Sequence, residues 1–188
     1  MNRSDIESMT QLYVEGLDTW QGDWVLTNTT TFNDLKSMNK IVCFHVSDEN
    51  LTKENIYQTN FHVGNMDTTE YRADYLWGEI GTTSDQYILR VTVNLDKLYP
   101  ELYEADDPYD KTNAARSKGY NVMAYLNLID DYDPDGSGVK WDPDSGEFLP
   151  AGIGDPPLSL VIFDPSAIHS IEKVRKRSYS EWLDAGNS

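Results

Sequence analysis

The sequence predicts an α+β fold, in which helices and strands occupy separate stretches of the chain. Helical patterns fall mainly in the earlier part and strand patterns dominate the second half, a distribution that favours α+β over a doubly wound sheet. Hydrophobic residues make up 39% of the 188 residues and aromatic residues 12%, which is enough apolar material for a core. The length suits one domain, or one domain with an appended terminal element.

Six short segments carry the β-branched, aromatic and alternating apolar residues that are typical of strands. The clearest has apolar side chains at mostly alternate positions between Tyr87 and Leu95. The predicted strands are residues 41–46, 60–64, 87–95, 121–129, 158–163 and 168–174. A threonine-rich stretch, residues 27–31, fits either an edge strand or a loop.

Three helices are predicted. Ser4 and Glu7 have the spacing of a capping box at the start of an amphipathic helix over residues 4–17. Asp67 is the predicted N-cap of a helix that ends at residue 77, and a short helix is expected at 113–117. The expected organisation is an N-terminal helix and connecting segment in residues 1–40, a main domain in 41–177 with an acidic insertion at 130–157, and a C-terminal tail at 178–188.

Charge is the strongest global feature of the sequence. The sequence has 32 acidic and 15 basic residues, so its formal net charge is −17. Such a field disfavours direct binding to nucleic acid or anionic lipid and favours basic partners or cations. Two interpretations of the negative charge remain: it keeps the protein soluble, or the acidic surface mimics a phosphate backbone and binds a basic nucleic-acid-binding protein in place of DNA. The one basic run, residues 173–177, is predicted to be a solvated face opposite the acidic body.

Other global features point to a cytoplasmic protein. The sequence has no apolar run near the roughly 20 residues that span a bilayer, and residues 1–10 lack the apolar centre of a signal peptide. A single cysteine, Cys43, excludes an internal disulfide, and its mid-strand position predicts an inert core thiol. The motifs of P-loop enzymes, dinucleotide-binding Rossmann folds, zincins and α/β-hydrolases are missing from the sequence.

An ordered set of short matches remains. These are FHVS at 44–47, FHVGN at 61–65, TEYRA at 69–73, LRVTVNL at 89–95, KGYNVMAYLN at 118–127 and LSLVIFDPSAI at 158–168. In this order they resemble the ADP-ribosyltransferase-like domains found in phage and mobile-element polyvalent proteins. The resemblance covers residues 41–174, and its weight lies in the order of the matches and in the last two of them.

The resemblance implies a split β-sandwich of two small, mainly antiparallel sheets with flanking helices. It implies NAD as substrate, bound in a cleft between the sheets, and transfer of one ADP-ribose to a host macromolecule in the host cytoplasm. His45 and Ser47 would hold NAD, and Gly64 would let the backbone approach it closely. An aromatic ring that stacks on nicotinamide would come from Phe61 or Tyr71.

The catalytic carboxylate that the resemblance implies has two candidates. Such a group stabilises the oxocarbenium-like centre that forms when the nicotinamide–ribose bond breaks. The spacing after Asn127, at the end of the fifth match, places it at Asp130, whereas Glu147 in the insertion also precedes the last matched strand. Asp130 is one methylene shorter than the glutamate of the family, and Val46 replaces a glycine. The alternative is therefore a catalytically inactive, acidic interaction or inhibitor protein on the same fold.

The insertion also contains a calcium-loop pattern. Asp131, Asp133 and Asp135 precede Gly136 in the order D-x-D-x-D-G, and Asp142 takes the twelfth position. Carboxylate oxygens on a tight turn suit a hard cation such as Ca²⁺. A solvated acidic loop is the competing interpretation, because the twelfth residue is aspartate rather than the usual glutamate and no helix is predicted to enter the loop.

Overall fold

The computed structural model describes residues 19–20, 23–56, 60–103, 109–127, 139–142, 147–150 and 157–186. Within these ranges the chain is α+β, with two three-stranded antiparallel sheets, two short hairpins and four helices. The helices are α1 (Phe32–Ser37), α2 (Met66–Gly78), α3 (Tyr109–Ser117) and α4 (Tyr179–Asp184). The strands are β1 (Thr19–Trp20), β2 (Asp23–Trp24), β3 (Lys40–Ser47), β4 (Phe61–Val63), β5 (Gln86–Asn94), β6 (Val122–Leu126), β7 (Val139–Asp142), β8 (Glu147–Pro150), β9 (Leu158–Ile162) and β10 (Ile168–Arg177).

Two sheets face each other across a shared core. The first sheet has the order β10-β5-β3, and the second sheet has the order β4-β9-β6. Alternate residues of β3, such as Ile41 and Cys43, point inward with Val91 of β5 and meet Phe61 and Leu160 of the second sheet. All five are almost completely buried, so this core is the main source of hydrophobic stabilisation.

Each sheet has a helix on its outer face. Val42 and Phe44 point away from the central core and pack with Ala73 of α2. On the second sheet, Met123 packs with Ala115 of α3. Both faces of β3 are buried, so apolar residues are needed on both of them. The sequence of β3 is therefore an almost continuous apolar run rather than an alternating one.

One backbone bridge links the edges of the two sheets. Phe44 of β3 and Gly64, which follows β4, exchange two backbone hydrogen bonds of 2.8 and 2.9 Å. Beside this bridge, Leu26 donates its backbone N–H to the carbonyl of Val42. The six strands therefore follow the order β10-β5-β3-β4-β9-β6, and between β3 and β4 the backbone pairing of the described residues is reduced to this single bridge.

The basic run at the end of β10 is partly engaged with α2. Arg175 pairs with Glu70, and Arg177 pairs with Asp74 one helical turn further along. Lys176 lies 2.6 Å from Asp85. The strand reaches Arg177, beyond the predicted limit of 174, and stays paired with β5 up to Gln86.

The C-terminal segment contains a helix that packs on α2. Trp182 of α4 lies 5.4 Å from Trp77, measured between ring centroids, and Tyr179 stacks on Trp182 at 5.9 Å. Arg177 covers the Trp77 ring at 4.6 Å. These contacts fix α4 at the C-terminal end of α2.

Several local expectations need correction. The N-cap of α2 is Asn65, whose Oδ1 accepts from the backbone N–H of Thr68 at 2.8 Å, while Asp67 accepts from the side chain of Asn28. Of the two alternatives for residues 27–31, the structure shows the loop, which forms a turn and supplies Thr31 to the capping box of α1. The predicted helix at 4–17 lies outside the described residues, as does most of the insertion. No helix of the described residues is long and apolar enough to cross a membrane.

Candidate functional site

The bridge between the sheets places His45 beside the second sheet. Its Nδ1 lies 2.7 Å from the carbonyl oxygen of His62, and its ring lies 4.2 Å from the ring of Phe61. A carbonyl oxygen can only accept, so Nδ1 carries the proton. If the ring is neutral, Nε2 is then an acceptor with an available lone pair.

Burial sets the protonation state of His45. The ring is partly buried, and loss of hydration lowers its pKa to about 4, even though the hydrogen bond to His62 favours the charged form. At neutral pH His45 is therefore uncharged, with its tautomer fixed by the His62 carbonyl. Such a ring can accept a hydrogen bond from a hydroxyl group, for example a ribose hydroxyl.

Phe61 and Tyr71 occupy different environments. Phe61 is 1% exposed and belongs to the central core. Its ring also contacts the ring of His45. Tyr71 lies on α2, which covers the outer face of the first sheet, and its ring is 6.3 Å from that of Tyr75. The structure thus brings Phe61 to His45 and leaves Tyr71 on the other side of the sheet.

The packing around Gly64 leaves no room for a side chain at this position. A Cβ at this position would lie 2.5 Å from Oγ1 of Thr68 and 3.2 Å from Oγ of Ser159. The hydroxyl of Thr68 is held by the carbonyl of Asn65 at 3.1 Å and cannot easily move away. Close packing inside the protein therefore explains this glycine without a cofactor.

Ser47 and Val46 lie at the end of β3. Oγ of Ser47 accepts a 3.0 Å hydrogen bond from the backbone N–H of Glu49, which fixes the turn after the strand. Val46 is buried with Ile88 and Val174 on the outer face of the first sheet. Its side chain points away from the face that carries His45, so a valine in place of the glycine that the resemblance implies does not block that face.

The candidate catalytic carboxylates are only partly described. Asp130 lies outside the described residues. Glu147 begins β8 and is paired with Asp142 of β7. Two hydrogen bonds of 2.9 Å hold together the chain before the insertion and the chain at its end. Asn127 donates its backbone N–H to the carbonyl of Pro157 and its side-chain amide N–H to Oγ of Ser159.

The calcium-loop prediction falls on the same segment. Asp131, Asp133 and Asp135 lie outside the described residues, and of Asp142 only the backbone position in β7 is described. In the part of the chain that is described, no group of three or more histidine, cysteine, aspartate or glutamate side chains is arranged to hold a metal. Calcium binding therefore stays a prediction, which a change in melting temperature on adding EGTA would test.

Sequence reasoning missed the pairing of His62 with Tyr125. Nδ1 of His62 lies 2.9 Å from the Tyr125 hydroxyl, and the two rings meet edge to face at 5.5 Å. Tyr125 is buried on the outer face of the second sheet. Both residues lie within the short matches, but their contact depends on how β4, β9 and β6 are ordered, which local patterns do not reveal.

A separate open depression of about 710 Å³ lies beside α1 and β2. Its described lining includes Trp24, Thr30, Asp34 and Lys40, and it shares no described lining residue with the junction at His45. None of these residues was a predicted site residue.

No protein-family model matches this chain, and no curated protein matches it.

Proposed function

We propose that this chain is an NAD-dependent mono-ADP-ribosyltransferase that modifies a host macromolecule, built on an ADP-ribosyltransferase-like split β-sandwich. The observation that carries the proposal is the position of His45 at the split between β3 and β4. Its Nδ1 is held by the His62 carbonyl, so its Nε2 is suited to accept from a ribose hydroxyl of NAD. The split six-strand order supports the proposal, since the resemblance implies a cleft between two small sheets.

The proposed reaction breaks the bond between nicotinamide and ribose. Nicotinamide leaves with the bonding electron pair, and a carboxylate stabilises the positive charge that develops on the ribose. Asp130 or Glu147 supplies that carboxylate in the proposal. A nucleophile of the acceptor molecule then attacks the ribose and releases a proton, which leaves ADP-ribose attached to the acceptor.

The first test is binding. Saturation of the site at 100 times its dissociation constant stabilises the folded state by about 2.7 kcal/mol. For a protein of this size the melting temperature should rise by roughly 5–10 °C. His45→Ala should greatly reduce this rise, whereas His169→Ala, at an exposed histidine outside the junction, should leave it unchanged. A wild-type protein that shows neither a thermal shift nor nicotinamide release rejects the proposal.

The second test separates the two carboxylates. Asp130→Asn and Glu147→Gln each retain the shape of the side chain and remove its charge. The variant that removes the catalytic group should lower nicotinamide release on the order of 100-fold or more, because charge stabilisation at the ribose is lost. Glu101→Gln, an exposed glutamate elsewhere, is the control. Equal activity in all three variants would exclude both assignments.

A second candidate function rests on charge distribution. Residues 104–110 contain four carboxylates and no basic residue, and residues 128–156 contain eight carboxylates and one lysine, so the two segments carry −11 of the net −17. The described residues that precede the two segments, Tyr103 and Asn127, lie at the same end of β6, because Tyr103 bonds to the backbone of Ala124 and Leu126. This arrangement favours an acidic interaction protein that occupies a basic nucleic-acid-binding partner. Competition between this protein and DNA for a purified basic partner would test it.

A further inference from the structure

The open depression beside α1 and β2 is lined mainly by polar residues. Its volume of about 710 Å³ is within the range of roughly 300–1,000 Å³ that small-molecule sites occupy. Eight of its described lining residues are polar or charged, and three are apolar, namely Trp24, Val25 and Met38. The depression therefore suits a ligand that forms several hydrogen bonds and has one apolar face.

Trp24 supplies an apolar surface for such a ligand. It is 48% exposed, and its indole N–H has no hydrogen-bond partner among the described residues. Two other large apolar side chains of the described chain are exposed, Ile80 and Leu183, and neither lines the depression. A tryptophan ring in this position presents a large, rigid apolar face, and its N–H can bond the ligand that covers it.

Two carboxylates of the lining are held in place by one oxygen each. Oδ2 of Asp23 accepts from Nη2 of the buried Arg90 at 3.1 Å. Oδ2 of Asp34 accepts from the backbone N–H and from the hydroxyl of Thr31, both at 2.7 Å. These two bonds lower the pKa of Asp34, so its carboxylate is ionised at neutral pH. In both aspartates Oδ1 has no partner among the described residues and is available to accept from a ligand.

The charges around the depression nearly cancel. Asp23 is paired with Arg90, which Glu172 shares at 3.5 Å, and Lys40 of the lining offsets Asp34. An anionic ligand would approach two carboxylates in a chain of net charge −17. A cationic ligand would approach Lys40, which forms no ion pair with a described residue. The balance favours a neutral ligand.

A saccharide combines these properties. Its hydroxyl groups can donate to carboxylates and accept from N–H groups, and one side of a sugar ring carries C–H groups that pack on an aromatic face. We propose that this depression binds a neutral saccharide, with Trp24 packed on one sugar ring and with Asp34 and Asn39 bonded to its hydroxyl groups. The inference is independent of the transferase proposal, because the depression shares no described lining residue with the junction at His45.

The first experiment measures binding of neutral trisaccharides to the full chain by calorimetry. The probes are maltotriose, cellotriose, mannotriose and triacetylchitotriose, and adenosine is included because its base can also stack on a tryptophan. We expect at least one trisaccharide to bind with a dissociation constant of about 1 mM or lower. If no trisaccharide binds at concentrations up to ~10 mM, or if adenosine alone binds, the inference is wrong.

Substitution of Trp24 tests where the saccharide binds. Trp24→Ala should weaken binding about tenfold or more, because the aromatic face is lost, whereas Trp24→Phe should retain part of the affinity. Leu183→Ala is the control, since it also shortens an exposed apolar side chain but lies outside the described lining. Equal affinity in Trp24→Ala and Leu183→Ala would overturn the inference, because the saccharide would then bind elsewhere.

A second pair of variants tests the polar contacts. Asn39→Ala should weaken binding of the same saccharide about fivefold, because hydrogen bonds to its hydroxyl groups are lost. Asn33→Ala should have no effect, since Asn33 is an exposed asparagine of α1 that is not among the described lining residues. Equal affinities in these two variants would contradict the assigned hydrogen bonds.

The outcomes are distinguishable from those of the transferase proposal. The rise in melting temperature with NAD should be the same in Trp24→Ala as in the wild type, and its loss in this variant would overturn the saccharide assignment. A wild type that binds a saccharide but not NAD rejects the transferase proposal alone. Without ligand, melting temperatures within about 2 °C of the wild type show that the variants are folded, as expected for exposed side chains.

Discussion

His45 donates its Nδ1–H to a backbone carbonyl of the neighbouring sheet and stays uncharged because it is partly buried. Its pKa in the folded protein, about 4, is below the value of 6.5 for an exposed histidine. Between these two values the unfolded chain binds a proton that the folded protein does not. The contribution of His45 to stability is therefore complete above pH 6.5 and is lost as the pH falls toward 4.

This difference in pKa predicts a pH-dependent stability. Lowering the pH from 7 to 5 should reduce the free energy of unfolding through His45 by about 2 kcal/mol. His45→Gln should lose this part of the pH dependence, whereas His169→Gln, at an exposed position, should retain it. Urea unfolding at the two pH values gives the measurement. An identical pH dependence in wild type and His45→Gln would contradict the assigned protonation state.

Gly64 provides a second test at the residue scale. Gly64→Ala places a methyl group 2.5 Å from Oγ1 of Thr68, and we expect a loss of roughly 2 kcal/mol in the free energy of unfolding from overpacking. Combining it with Thr68→Ala should recover part of that loss, since the obstructing oxygen is removed. Gly78→Ala is the control, because its Cβ would meet only Trp182, at 4.0 Å, and should change stability by no more than about 0.5 kcal/mol. Strictly additive losses in the double variant would exclude the steric explanation.

At the scale of elements, α4 is held on α2 by aromatic contacts. Trp182 is packed against Trp77 and Tyr179, whereas its neighbour Leu183 is 41% exposed. Trp182→Ala should lower the free energy of unfolding by about 2 kcal/mol, and Leu183→Ala by less than about 0.5 kcal/mol. Chemical denaturation of both variants measures the difference. Equal effects would show that α4 is not fixed by the tryptophan.

Much of the sheet structure could be predicted from the sequence, because each long strand carries an apolar pattern of its own. The strands from β3 to β5 and from β9 to β10 begin within one residue of the predicted positions. The helices α1 and α4 were missed, since six residues are too few to show a helical period. The capping box of Thr31 and Asp34 was the available signal for α1, hidden within a run of threonines.

The candidate site was predicted less completely. His45 and Phe61 were singled out from short motifs, and the structure places them in contact. Tyr71 was chosen from the same motifs but lies on a helix across the sheet. The hydrogen bond from His45 to the His62 carbonyl joins two strands that are separated by a long loop. Its geometry follows from tertiary pairing, which a single sequence does not encode in any local pattern.

At the scale of the whole molecule, the charge is unevenly distributed. Residues 104–110 and 128–156 together carry −11, so the remaining chain has a net charge of only −6. Like charges concentrated in short stretches of the sequence repel each other most strongly when few ions are present. Stability should therefore depend on salt concentration.

We expect the melting temperature to rise by several degrees when NaCl is increased from about 10 mM to about 150 mM, because screening reduces the repulsion. A variant that neutralises Glu104, Asp106, Asp107 and Asp110 as glutamine or asparagine should show a smaller rise. A variant with Lys111→Gln and Lys118→Gln should show a larger rise, since it makes the molecule more acidic. Salt responses that are the same in all three proteins, followed by differential scanning fluorimetry, would rule out self-repulsion as the cause.

The single residue pair between Phe44 and Gly64 has a consequence for cooperativity. β3 is hydrogen-bonded along one edge to β5, and its other edge is divided between Leu26 and Gly64. Separation of either sheet from the core would break backbone hydrogen bonds of β3, because β3 is bonded to β5 on one edge and to Gly64 on the other. The backbone amides of Phe44 and Gly64 should accordingly exchange with deuterium only through complete unfolding, and therefore at the slowest rate in the protein. The bridge between β3 and β4 would then be the last part of the fold to open.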